Sequence, residues 1–252
     1  SDIENVSTER LQEFYHTYYW PNNATATVIG DFDKKEALSL IKKHFGEHTA
    51  CENKIPEMYT EEPAQEGPRR TTVKRIGQTS IVGVAHKTPE GLHRDTYSFQ
   101  LLGKILADGK TSRFHKKIID QGLATSIFMY DFPFKDNGLF ITYAFLTPGV
   151  DHHKVEEIIL NEYEDTIKNG VSSNELSRAK AQMRASVAYS RDGSYAVASA
   201  LNEAIAIGDW TFYTTFMDNI ESVSGSEIQE AAKTYLKENQ STVGYFIALD
   251  PK

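Results

Sequence analysis

One pattern occurs at the beginning of the chain and again at its end. "STERLQEFYHTYYWPNNATATVIG" runs from Ser7 to Gly30, and "SGSEIQEAAKTYLKENQSTVGYFIA" runs from Ser224 to Ala248. With a constant offset of 217, Val6 meets Val223, Ser7 meets Ser224, Leu11 meets Ile228 and Gln12 meets Gln229. Glu13 then meets Glu230, Thr17 meets Thr234, Tyr18 meets Tyr235, Asn22 meets Asn239 and Thr25 meets Thr242. Each copy reads as a serine-capped amphipathic helix, a polar turn and an apolar strand. Such a repeat commits the chain to building the same helix–strand unit twice, in two modules. The second copy closes a long module, whereas the first opens the chain with almost nothing before it. The chain is therefore expected to begin inside one module and to hold the next one entire, with Ser1 a processing boundary rather than a translational start.

The rest of the pattern fills in these modules. In "DFDKKEALSLIKKHFG", Asp33 is placed to cap a helix burying Ala37, Leu38, Ile41 and Phe45, with Gly46 as its stop. Residues 51–68 have no apolar period, an acidic bias and three prolines (Pro56, Pro63 and Pro68), and read as a linker. "TTVKRIG" and "TSIVGVAHKT" read as strands. "DTYSFQLLGKILADG" reads as a helix with Leu101, Leu102, Ile105 and Leu106 inward, and "SRFHKKIIDQG" as a shorter helix ending at Gly122. "TSIFMYDFPF" and "GLFITYAFLT" flank the turn "KDNG" as an antiparallel pair. A helix ends at Gly170, and Ser172 with Glu175 opens another helical run that Gly193 breaks before Ile207. "FYTTFMDNIESV" leads into the second copy, where Ser224 and Glu227 again have capping-box spacing; the first copy has Arg10 at that glutamate position. This order predicts an α+β fold of duplicated α/β layers, each a mostly antiparallel sheet with helices on one face. The expected division is 1–50, the C-terminal part of a truncated first domain; 51–68, a linker; and 69–252, a complete second domain.

Composition removes several function classes. Net charge is −8, and residues 1–68 carry −7 of it (6 Lys/Arg against 13 Asp/Glu). Neither part has the basic surface that a phosphate backbone requires, so no nucleic-acid partner is expected. No apolar run approaches the roughly 20 residues of a transmembrane helix, so no transmembrane segment is expected. Cys51 is the only cysteine, which excludes an intrachain disulfide and a cysteine-based zinc site.

No candidate motif has its full structural context. His44 and His48 have helical metal-pair spacing with Glu47 beside His48, but Gly46 is placed to end the helix that would bring the three side chains together. His152 and His153 read as polar first-turn residues, and His16, His86, His93 and His115 are isolated. "GKTS" at Gly109–Ser112 lacks the P-loop's earlier glycine, since Lys104 stands there, and it follows a helix. "SLIK" and "SRAK" lie in amphipathic helices without companion motifs. Asp31 and Asp33 lack the remaining ligands of a calcium loop. Asn23 and Asn239 match the glycosylation pattern, but their turn positions suit them to shaping the chain. The residues alone give no catalytic, metal-binding or substrate-binding assignment.

"FYHTYYWPNNATATVIGDFDKKEALSLIKKHFG" resembles the tail of the first domain of pitrilysin-type zinc metallopeptidases. These inverted-motif enzymes (inverzincins) are relatives of the mitochondrial processing peptidase. "ILADGKTSRFHKKIIDQGLATSI" is similar to the family's glycine-serine-arginine segment with its following helix, and "GVSSNELSRAKAQM" to a long helix of the same domain. The resemblance implies duplicated α/β domains joined by linkers. It also implies a zinc-dependent endopeptidase acting on peptides or unfolded segments, in a bacterial periplasmic or otherwise exported setting. In the family, zinc is held by His-x-x-Glu-His and a later glutamate, and the motif glutamate serves as base. The one His-x-x-Glu-His in this sequence, His44 to His48, is interrupted by the helix-stopping Gly46 and ends the first-domain tail rather than standing early in that domain. The resemblance therefore places zinc and catalysis in a missing N-terminal half-domain, with this stretch inactive and walling a substrate chamber. A second two-domain half or subunit is a further implied partner. The family's arginine–tyrosine substrate pair falls on "GLFITYAFLTPGVD", which offers Tyr143 and no arginine. The alternative is a non-enzymatic, partner-binding member similar to respiratory-complex core subunits.

Overall fold

The computed structural model describes residues 2–57 and 63–249. Residues 58–62 of the expected linker lie outside the described residues. The chain divides into two compact units, Ser1–Pro63 with Gly193–Ser199 and Ala64–Asp192 with Ala200–Lys252.

The larger unit is an α+β sandwich of one sheet and one helical layer, as the element order predicts. Five strands, β1 (Arg69–Ile76), β2 (Ile81–Glu90), β3 (Ala124–Phe132), β4 (Asn137–Leu146) and β5 (Thr242–Leu249), lie in the order β1-β5-β2-β4-β3. Every pairing is antiparallel except β1 with β5. Side chains alternate across a strand, so one face takes Val82, Val84, Phe140, Thr142, Ala144 and Val243 into the core. The long helix α4 (Asp95–Ala107) packs there through Leu101, Leu102, Ile105 and Leu106, all buried. Beside it lie α5 (His152–Asn169), α6 (Ser173–Ser190) and α9 (Gly225–Tyr235). Gly170 ends α5 at φ +71°, a conformation side chains with a Cβ rarely adopt. Both expected capping boxes are formed: Ser172 Oγ accepts from Glu175 N while Glu175 accepts from Ser172 N, and Ser224 with Glu227 repeats the arrangement. Gly193 (φ +92°) separates α6 from α7 (Ser194–Ile207), and α8 (Thr211–Ser222) follows. Among the described residues no helix is long and apolar enough to cross a membrane.

One helix differs from expectation. "SRFHKKIIDQG" forms a single π-helical turn, His115–Ile119, rather than a short α-helix. Asp120 N reaches the His115 carbonyl, the i→i+5 closure, at 2.8 Å.

The smaller unit carries the first repeat copy. Its helix α2 (Thr8–Tyr18) and 3-10 turn Pro21–Asn23 sit 217 residues before α9 and the turn Glu238–Gln240, bound for bound. At the same sequence offset the short α1 (Asp2–Asn5) corresponds to the last turn of α8. Ser7 accepts from Arg10 N at 3.3 Å, as Ser224 accepts from Glu227 N at 3.2 Å. The α3 helix (Lys34–Phe45) is capped by Asp33, which accepts from Lys35 N and Glu36 N. Here too the expectation fails in part. Residues 25–32, which match β5, form no strand. A strand exists only as part of a ladder, and β5 has β1 on one side and β2 on the other. No sheet is built among the described residues of the smaller unit. For the same reason Leu38, Ile41 and Phe45, expected inward, are exposed.

Candidate functional site

The sheet's second face carries the larger unit's most unusual surface. On β3 the residues opposite the core are Phe128, Tyr130 and Phe132, each more than a third exposed. Phe134 continues the row beyond the strand end. Successive rings stack with centroids 6.4, 5.8 and 6.1 Å apart. Register places Tyr143 opposite Phe128 and Ile141 opposite Tyr130 on β4. Tyr143 lies 6.3 Å from the Tyr130 ring, and Phe145 meets Phe128 edge-on at 6.0 Å. Gly83 of β2 faces Tyr143 across the ladder and Gly244 of β5 on its other side. A Cβ at Gly83 would stand 3.3 Å from the Tyr143 ring, so the missing side chain lets that ring lie flat on the sheet.

β3 is also the edge strand, bonded among the described residues to β4 alone. An edge strand presents a row of backbone donors and acceptors able to pair with another extended chain. Proteins usually blunt such edges with charge or proline. Here β3 is flanked on its outer face by four aromatic rings. An extended peptide added at this edge would meet both main-chain partners and a stacking surface, the arrangement that strand addition requires.

A polar cluster occupies the opposite margin of the core face. His152 and His153 are first-turn residues of α5, behind the Asp151 cap, as expected. Sequence spacing does not show what they meet. His153 Nδ1 lies 3.0 Å from Tyr245 Oη, and His152 Nε2 lies 3.3 Å from the Phe246 carbonyl. The Tyr245 hydroxyl donates to Glu156, which also accepts from Arg70 at 2.6 and 3.0 Å. Burial and the Glu156 carboxylate push the Tyr245 phenol above its ordinary range. Every member is satisfied, so this cluster ties α5 to β1 and β5.

The other residues weighed from sequence have ordinary places. His44 lies in the last turn of α3 and Gly46 caps that helix. Asn23 Nδ2 donates to the Tyr18 carbonyl at 2.9 Å, which fits a turn-shaping role. Ser112 is buried behind Gly109 (φ +78°), after a helix rather than a strand. Lys180 of "SRAK" donates to the Glu221 carbonyl. The residues do not fit a zinc centre: among the described residues no three His, Cys, Asp or Glu side chains converge, and the one His-x-x-Glu-His, His44 to His48, straddles the Gly46 cap at the exposed end of α3.

Known proteins share this architecture. The "Peptidase M16 inactive domain" family matches residues 5–183. The zinc protease PqqE of Helicobacter pylori (strain ATCC 700392 / 26695) is 27% identical over 244 residues, covering 96% of this chain and 55% of the relative. The crystal structure of a protease from Helicobacter pylori superposes with a TM-score of 0.90 at 26% identity, over 98% of this chain and 60% of that one. A chain of complex III2 from Candida albicans, Inz-5 bound, has the same fold at a TM-score of 0.80 and 16% identity, over 97% of this chain and 60% of that one. The chain spans about half the length of the curated relatives it matches. The matched segment runs from the first repeat copy through β1 to β4 and into α6, and the chain belongs to the peptidase M16 inactive-domain family.

Proposed function

We propose that this chain is the non-catalytic part of a zinc-dependent metalloendopeptidase that hydrolyses peptides or unfolded protein segments. In this reading residues 69–252 are a complete second domain, and residues 1–50 complete a first domain whose other half carries zinc and the catalytic base. The second domain holds substrate: its aromatic face walls the chamber and the β3 edge pairs with an extended segment. The observation that carries the reading is the stacked row Phe128, Tyr130, Phe132 and Phe134 on an edge strand. Tyr143 belongs to the same surface, in line with the tyrosine expected from the family resemblance.

The test has two arms. The 252-residue chain, dialysed against zinc and then against buffer, is expected to retain no stoichiometric metal and to cleave no peptide. The parent with its upstream half-domain is expected to do both. Stoichiometric zinc with turnover in the short chain would refute the assignment. The competing reading, a partner-binding subunit, draws on the shared fold of the complex III2 chain. It requires the upstream half-domain to lack His-x-x-Glu-His, which sequencing the parent decides.

A further inference from the structure

On the core side of the edge strand, β3 and α4 bound a cleft of roughly 350 Å³. That is near the lower end for a binding pocket, suited to one side chain rather than a cofactor. Its floor is apolar, formed by Phe99, Ile127, Met129 and Phe140. Gly103 of α4 leaves room there, since a Cβ at that position would stand 4.0 Å from Met129 and Phe140. The polar lining is Gln100, Lys104, Asp108 and Asp131. Lys104 Nζ is bonded to Asp108 at 2.7 Å, so these two charges cancel. Asp131 accepts from the neutral Gln100 amide at 2.9 Å and has no ion-pair partner among the described residues. Burial pushes its carboxyl up to about 7, only partly opposed by that amide. The cleft thus holds one carboxyl whose charge the protein itself leaves uncompensated.

The strand's geometry fixes what can reach it. Phe128, Tyr130 and Phe132 face outward, whereas Ile127, Met129 and Asp131 face α4. A segment paired to β3 alternates its side chains in the same way, about 4.8 Å away. Every second side chain of such a segment is therefore directed to the α4 side, at the cleft mouth. We propose that this cleft is a subsite for one basic side chain, arginine or lysine, of an extended peptide paired to β3. The aliphatic stem lies along Met129 and the apolar floor, and the cationic head pairs with Asp131. A metal ion would find too few donors, and an anion would meet Asp131 and Asp108.

This inference rests on the peptide-holding reading above, and the test separates the two. Two blocked, fluorescently labelled heptapeptides rich in valine and threonine are titrated into the 252-residue chain. They differ only at the central residue, arginine in one and its uncharged isostere citrulline in the other. The arginine peptide is expected to bind about 10-fold tighter, as a charge-assisted pair in a sheltered site would give. Asp131→Asn is expected to bring it to the affinity of the citrulline peptide without weakening the latter. Gly103→Leu, which fills the cleft on a helix and leaves the β3 edge intact, is expected to remove the same preference. Calorimetry at pH 7 in buffers of different ionisation enthalpy is expected to show about half a proton released per arginine peptide, and none with Asp131→Asn. Equal affinities for the two peptides, or a preference that survives Asp131→Asn, would overturn the subsite and leave the peptide-holding reading standing. Failure of both peptides to bind would overturn both.

Discussion

Two side chains, one half-buried and one buried, show how much of this fold's stability passes through single residues. Arg113 follows the Gly109–Ser112 turn and is only 15% exposed. Its guanidinium donates to both oxygens of Glu175 at 2.7 and 3.0 Å, to Asp165 at 2.9 Å and to the Gly170 carbonyl at 3.1 Å. One side chain thus joins the π-turn to α5, to the end of that helix and to the start of α6. Removing it strands a carboxylate that is mostly buried, so Arg113→Met is expected to cost roughly 2–4 kcal/mol in urea unfolding. Arg113→Lys, which keeps the charge but loses the fork, should cost less. Arg113 also holds the Glu175 carboxyl down at about 2, helped by Ser172. A carboxyl lowered in the folded state stabilises above its ordinary value of 4.5 and loses that contribution as pH falls toward 2. Arg113→Met should flatten this part of the acid limb. His86 behaves in the opposite sense. It is 1% exposed, packs edge-on against Tyr163 at 5.4 Å, and has no hydrogen-bond partner for either ring nitrogen among the described residues. Burial lowers it to about 4, and the nearby Lys237 backbone, outside hydrogen-bond geometry, offsets this only in part. The unfolded chain therefore binds a proton between pH 6.5 and 4 that the folded chain refuses. His86 by itself should lower stability by about 2 kcal/mol from pH 7 to pH 5, opposed by Asp131, whose raised carboxyl takes up a proton on folding over the same range. The stability of His86→Phe relative to the unsubstituted chain should therefore rise by about 2 kcal/mol between pH 7 and pH 5 in urea titrations.

At the scale of elements, what is legible in the sequence depends on whether the cause is local. Both capping boxes, the Asp33 cap and the Gly170 and Gly193 breaks are set by residues within a few positions, and sequence spacing shows them. The same holds for the inward side of α4, whose leucines and isoleucine repeat with the helical period. The Arg113 network is not legible, because its partners lie 52 to 62 residues away and only the fold brings them together. The π-turn depends on how the chain leaves α4 to reach β3, which periodicity does not encode. The outward side of β3 reads from sequence as ordinary core aromatics, since alternation alone does not say which face a sheet leaves uncovered. That face gives the element-scale prediction. Phe128→Lys with Tyr130→Lys alters only exposed rings on an edge strand, and the double variant should stay folded with a loss of about 1 kcal/mol or less. It should nevertheless abolish binding of extended peptides in anisotropy titrations, because the charges blunt the edge and remove the stacking surface. A double variant that binds peptide as well as the unsubstituted chain would take the edge out of the proposed substrate path.

At the scale of the whole molecule the repeat makes a comparison that no single site allows. Ile220, Val223, Ile228, Ala231, Ala232 and Leu236 are buried in the larger unit. Their counterparts at the 217 offset, Ile3, Val6, Leu11, Phe14, Tyr15 and Tyr19, are 91, 40, 56, 56, 56 and 64% exposed. The same apolar face is thus core in one copy and surface in the other. The counterparts of Ala231 and Ala232 are aromatic, so the face of α2 is a half-core built to meet a different and roomier partner surface than α4 and α5 offer α9. On the function proposed above, the occupant is the first domain's other half, supplying the ladder residues 25–32 lack. Two substitutions at matched positions test this. Ile228→Glu places a charge in a closed core and should cost about 3 kcal/mol or more in urea unfolding of the 252-residue chain. Leu11→Glu, on the equivalent but exposed face, should change stability by no more than about 0.5 kcal/mol. If that half-domain closes the half-core in the full-length parent, Leu11→Glu should there become as costly as Ile228→Glu. A Leu11→Glu effect that stays small in the parent would mean that α2 keeps its face open, and that the repeat preserves a helix without preserving its partner.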